Sequence, residues 1–465
     1  MTAMTRSLRF AVALAALVST GCDSLDVGDL NNPGLDELEE NPTRAAVNNA
    51  ATGILIGLRV GIAEPNGWIP LLAAMGREGF NLNTTSDPRY VQEMFVGPLD
   101  PGSGAFGANF WAARYANIRN SVLVLNAVEP VVEMTEEEKA GVRGFARTIQ
   151  ALELLRVILT RDANGAVIDV NRGPTEEPGA IATRTEVYAR IVELLDEGFA
   201  DLGSAGAAFS FRLGSGFTGF DTPATFGQVN RAIRARTAIY LDDWSAALSA
   251  LGQSFVSLTE PLSRGVYHVY GTASGDLTNN ILQGAAVVRA NPELLTAAQL
   301  RSNGQPDLRA STKITTGAVG TGSAGTVTLS SDKHFTIYPS NTSSVPIIRN
   351  EELILLRAEA NLGLGNVAAA LADINFIRTT AGGLPAYSGP TTPDAVLDEL
   401  LYNKRYSLMW EGGFSYFDFR HYGKLTDLPR QVTGGKFFNK MPFPTNECLA
   451  RNPQPTSGCT PENGF

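Results

Sequence analysis

Histidine and cysteine are scarce in this chain of 465 residues, which has three of each. His268, His334 and His421 are far apart and none has metal-ligand spacing, so no metal centre is expected. HExxH, GxSxG and the P-loop are all missing, and with them the sequence marks of zinc peptidases, serine hydrolases and nucleoside triphosphatases. GSGFTG at Gly214–Gly219 matches a dinucleotide fingerprint in letters only, because FDTPATF follows it in place of a helix. It reads as a flexible turn, and no cofactor is expected. Basic residues are outnumbered, 37 to 47, giving a formal charge of −10. With no basic stripe and no interleaved aromatics, nucleic acid is excluded as a partner. Long apolar runs are absent after the first eighteen residues, so no transmembrane helix is expected.

What is present starts at the N-terminus. Arg6 and Arg9 precede Phe10–Val18, an uncharged apolar run too short to span a bilayer but suited to a secretory signal. Thr20, Gly21 and Cys22 then resemble the end of a lipobox, although Ser19 stands where that pattern usually has Leu. Residues 1–21 are expected to be a lipoprotein signal peptide, with Cys22 the lipidated mature N-terminus. An ordinary secretory signal cut near Gly21 is the alternative. Several acyl chains on Cys22 would anchor the chain stably and would be its only membrane attachment. Removing residues 1–21 takes the formal charge from −10 to −12. Residues 22–45 are acidic and read as a tether. Cys448 and Cys459 lie in a Pro- and Gly-rich tail, where export makes a local disulfide the expected state.

Helical periodicity dominates the remainder, and the class is mainly α. In EELILLRAEANLGLGNVAAALADINFIRTTAGG, Glu351–Gly383, the spacing of Leu353, Leu356, Ala360 and Leu364 makes one apolar stripe. Gly363, Gly365 and Asn366 break it, and a second helix carries Ala369, Ala370, Ile374 and Ile377. Shifting the chain by 123 residues lays Arg234, Ala235, Leu241, Ala246, Ala247 and Leu248 over Arg357, Ala358, Leu364, Ala369, Ala370 and Leu371. Two copies of one helix hairpin are implied, as in a tetratricopeptide-like superhelix whose units stack to bury apolar faces. Residues 203–227 and 307–347 are long Gly-, Ser- and Thr-rich stretches, the second with alternating runs suited to a small sheet. Trp68, Phe80, Tyr90 and Phe95 fall in an irregular stretch before Phe110, among polar residues, where aromatic faces suit stacking on sugar rings or other flat apolar ligands. With Tyr338, the residues Trp68, Tyr90 and Phe95 are the ligand-binding candidates, while satellite core beneath a long loop is the competing reading. Trp111, Tyr115, Trp244 and Trp410 read as core.

Arg357, Glu359, Ala360, Gly365, Asn366, Ala369, Asn375 and Arg378 resemble the signature of the SusD/RagB family of nutrient-uptake outer-membrane lipoproteins. FWAARYANIRNSVLVLNAVE and LYNKRYSLMWEGGFSYFDFRHYG are similar to further family segments, with Arg405, Glu411, Gly412, Asp418, Arg420 and Gly423 in place. Lys404 stands where the family favours Glu, and Ser415 where it commonly has Arg, so a buried ion pair is expected to be missing or rewired, with Glu411, Asp418 and Arg420 still able to satisfy one another. The resemblance implies a single SusD-like domain over 46–465, with long loops and a few short strands. It also implies a non-enzymatic, lipid-anchored subunit at the outer face of the outer membrane. Such a subunit would capture a glycan or other nutrient and act as a lid for a SusC-type TonB-dependent β-barrel. A secreted hydrolase on a helical scaffold and a tetratricopeptide-like adaptor without small ligand are the alternatives.

Overall fold

The computed structural model describes residues 35–83, 89–173, 175–281 and 287–465. The signal peptide, Cys22 and most of the acidic tether lie outside the described residues. The tether is shorter than expected, because Leu35–Glu40 forms helix α1 and Leu38 reaches the core. Thr43 then caps α2, Arg44–Arg59, its hydroxyl accepting from the Ala46 N–H.

The stretch that holds Trp68, Phe80, Tyr90 and Phe95 is more regular than expected, because it contains α3, Trp68–Met75, and α4, Arg89–Val96. Every residue of α3 is buried. A helix apolar all round has no amphipathic stripe to recognise, and it belongs inside a protein. The central helices follow as α5, Ala113–Val128, α6, Glu136–Arg161, and α7, Arg184–Ser204. Capping boxes at Thr135/Glu138 and Thr183/Glu186 fix the starts of α6 and α7. Next come α8, Pro223–Ile239, and α9, Trp244–Gly252. The second hairpin is α10, Asn350–Gly363, with α11, Val367–Thr380, and it is followed by α12, Pro393–Ser407, and α13, Phe414–His421. From α5 to α9 each helix packs on the next, and α9 packs on α10, so the two hairpins stack as a short superhelix.

The repeat read from the sequence is present in space. Its turns coincide: Asp242 and Gly365, 123 residues apart, both have positive φ, +56° and +78°. Ile354, Leu355, Ala358, Ala370, Ile374 and Ile377 form a satellite core between α10 and α11, which Val396 and Leu400 of α12 close.

The strands pair two by two and antiparallel. β1, Gly79–Asn81, pairs with β5, Val288–Ala290; β2, Ala166–Val167, with β3, Ile181–Ala182; β4, Gly265–His268, with β8, Val345–Arg349. Residues 307–347 form a hairpin more than a loop: β6, Ile314–Ala324, pairs with β7, Val327–Phe335, from Ile314↔Phe335 to Ala324↔Val327. Val327, Leu329 and Ser331 are buried in alternation with exposed Thr328 and Ser330, the period of two expected of a half-buried strand. The structure joins Cys448 to Cys459, with Cα atoms 5.8 Å apart.

Candidate ligand-binding site

The four aromatic candidates do not present open faces. Trp68 lies on α3, stacked 5.2 Å from Phe110 and 6.2 Å from Phe417. Phe95 packs edge-on to Phe80 at 5.8 Å and under the Arg77 guanidinium at 4.5 Å. Tyr338 donates its hydroxyl to the Trp410 carbonyl at 2.7 Å, and Tyr90 is buried as well. This corrects the expected exposure. These rings bury large apolar areas: α3 and α4 turn Trp68, Tyr90 and Phe95 inward, and Tyr338 is buried in the segment after β7. Of the four residues read as core, Trp111 and Trp410 are buried, while Tyr115 and Trp244 are half-buried.

A hollow that could hold a small ligand lies elsewhere among the described residues. It has a volume of about 370 Å³ and is formed by α2, the loop Arg212–Phe217 and strand β4. Leu55, Leu58, Leu213 and Phe217 supply an apolar wall, and Arg59, Arg212 and Asp276 stand at its rim. The loop belongs to the Gly-rich stretch 203–227, narrowed by structure to residues 205–222 between α7 and α8. Its GSGFTG segment has a packing role: a Cβ on Gly216 would lie 2.0 Å from the Tyr267 carbonyl oxygen, so only glycine lets the loop meet the strand.

His268 forms the inner wall. The alternation of β4 buries Val266 and His268, and His268 pairs across to Val345. Its Nε2 lies 2.9 Å from Arg156 Nη2. Behind it, Arg114 donates to both oxygens of Glu153 at 3.0 and 2.9 Å, Asn117 donates to the same carboxylate at 3.0 Å, and Arg156 reaches it at 3.4 Å. Two guanidiniums thus share one buried carboxylate. Burial, reinforced by Arg156, Arg114 and Arg59, pushes the His268 imidazole well below its ordinary value, so the ring is neutral. Arg59 bonds Asp276 at 2.9 Å and the Val269 carbonyl at 2.6 Å. Beyond His268 a narrow cleft of about 40 Å³ runs past Trp68, Arg156 and Phe414.

A second charged centre lies at α12 and α13. Lys404 Nζ sits 2.7 Å from Glu359 and 2.9 Å from Asp418, all three buried. Tyr422 donates to Glu359 at 2.8 Å and Tyr240 to Asp418 at 2.9 Å. The expected rewiring is therefore real but differs in its partners. Glu411 binds Arg349 at 2.7 and 2.9 Å, Ser415 donates to Glu78 at 2.6 Å, and Arg420 donates to the Asn439 carbonyl at 3.0 Å. Glu411, Asp418 and Arg420 do not meet. Burial drives the Asp418 carboxyl up to about 6. For Lys404 burial acts downward, but Asp418 and Glu359 override it and hold the ammonium above the ordinary lysine range. Every member has a structural partner.

The site residues that sequence reasoning missed are His268, Arg212, Arg59 and Arg156. Only the loop that carries Arg212 left a signal, as a glycine-rich insertion on a rigid scaffold.

A helical superhelix with α12 and α13 docked against it, short two-stranded ribbons and one long hairpin is the SusD-like fold. The sequence matches no family model and no curated protein. Solved structures do match. A SusD superfamily protein from Parabacteroides distasonis superposes with TM-score 0.67 at 15% identity, covering 88% of this chain and 97% of its own. A SusD-like carbohydrate-binding protein from Bacteroides fragilis gives TM-score 0.63 at 16% identity over 90% of this chain and 94% of its own. A SusD superfamily protein from Bacteroides vulgatus gives 0.63 at 15% identity over 91% and 99%.

Proposed function

We propose that this chain is a non-enzymatic nutrient-capture lipoprotein. Residues 1–21 export it, a lipid on Cys22 holds it to the outer membrane with its domain facing the cell exterior, and it delivers a glycan or other small nutrient to a SusC-type TonB-dependent barrel. The observation that carries this reading is the SusD-like fold spanning nearly the whole chain, shared with a protein described as carbohydrate-binding. The cavity walled by α2, β4 and the Arg212–Phe217 loop supports it as a place for the ligand, being concave, mostly apolar and furnished with a few polar groups.

Affinity purification of the full chain from membranes in mild detergent should recover a β-barrel of TonB-dependent type, and Cys22→Ala should move the protein to the soluble fraction. Recovery of no barrel, or an unmodified residue 22 by mass spectrometry, would remove the reading. One observation favours the ligand-free adaptor as a second reading: the aromatic candidates are buried. Isothermal titration with neutral oligosaccharides and small organic acids separates the two, since the adaptor binds none.

A further inference from the structure

The cavity against β4 has chemistry narrower than a nutrient site in general. His268 spends Nε2 on Arg156, and a guanidinium can only donate. Nε2 must therefore accept, and in a neutral ring the one proton resides on Nδ1. The nitrogen left for a ligand is an N–H donor. A ligand has to offer it an oxygen lone pair.

The rim adds a charge. Arg59 is neutralised by Asp276, whereas exposed Arg212 has neither an ion pair nor a hydrogen bond among the described residues. The remaining wall is largely hydrocarbon, from Leu55, Ile56, Leu58, Leu213 and Phe217, with Thr52, Ser215 and Tyr267 the only hydroxyl-bearing side chains in the lining. A sugar ring entering it would bury several hydroxyls with few partners, at about 1–3 kcal/mol for each one left unpaired. An apolar body with a single acidic head loses nothing of that kind and gains from each buried CH₂.

We propose that this cavity takes an amphipathic carboxylate, its apolar body against Leu55, Leu58 and Leu213, its carboxylate towards Arg212, and an oxygen accepting from His268 Nδ1–H. This rests on the reading of the chain as a capture protein and names the ligand class.

The test is calorimetric titration of the full mature chain with 4-phenylbutyrate, its neutral amide, and maltotriose. The carboxylate should bind at least about tenfold tighter than the amide. Arg212→Gln, at an exposed and unpaired side chain, should remove that difference while leaving the fold intact by circular dichroism. Leu55→Trp, which fills the cavity, should abolish binding of both. Equal affinities for acid and amide, no binding of either, or an Arg212→Gln variant that keeps the preference would overturn the proposal. Maltotriose bound more tightly than phenylbutyrate also overturns it while leaving the capture reading intact. The barrel purification is independent: its failure removes the capture reading, while the acid-over-amide preference still reports on the cavity.

Discussion

The two helix hairpins make the same turn by different chemistry. In α10–α11 the left-handed residue is Gly365, which has no Cβ to strain. In α8–α9 the equivalent is Asp242, a non-glycine at φ +56°, followed by Asp243, whose carboxylate caps α9 by accepting from the Ala246 N–H at 3.1 Å. Asn366, equivalent to Asp243, makes no such cap. One hairpin relaxes the backbone; the other braces it with a side chain. The helix faces diverge further. Arg236 and Glu359 are equivalent, yet Arg236 docks forward onto Glu352 of the next hairpin at 2.6 Å, while Glu359 docks onto Lys404 of α12. Arg357 forms a two-point bond with Asp373 inside its hairpin, at 2.8 and 2.7 Å, where its counterpart Arg234 reaches only Asp196 at 3.4 Å. A repeated scaffold thus keeps its small residues and its turn, and varies the charges that choose the next neighbour.

Breaking the forward dock of the second hairpin should have the largest effect. Lys404→Met leaves Glu359 and Asp418 buried without a cation and should cost about 3–5 kcal/mol in urea unfolding. A loss below about 1 kcal/mol would mean that the tyrosine hydroxyls alone satisfy both carboxylates.

The same centre sets a pH dependence. Asp418 titrates above its unfolded value of about 3.8, so its contribution is fully present below that pH and is lost as pH rises through about 6. Stability should fall over this window by on the order of 1–3 kcal/mol, and Asp418→Asn should flatten the decline. An unchanged slope in thermal melts of Asp418→Asn between pH 4 and 7 would contradict the assignment.

The turns give smaller effects of opposite sign. Gly365→Ala forces a Cβ into a left-handed position and should destabilise by about 1 kcal/mol. Asp242→Gly relieves the equivalent residue but forfeits its 3.0 Å bond to His421 and frees the unfolded chain, so a net change within about 0.5 kcal/mol is expected. If Asp242→Gly destabilised as much as Gly365→Ala, the two turns would not be interchangeable solutions.

Much of this architecture was legible in advance. The periodicity of Leu353, Leu356 and Ala360 marks α10. Helix α3 was not legible, because WIPLLAAM is apolar on every side and carries no period. The candidate site was legible only as a loop. His268 sits in a four-residue strand whose partner, β8, is more than seventy positions away, and its proton position depends on Arg156 from a third element.

The sequence by itself determined the helical class, the repeat and its turn, because these depend on residues a few positions apart, and its signature residues pointed to the fold. Only the tertiary structure decided which aromatics face solvent, which carboxylates share Lys404, and that His268 keeps a donor for the cavity. Those properties belong to neighbours brought together from distant segments, where burial removes water and makes each partner's identity decide charge and proton position.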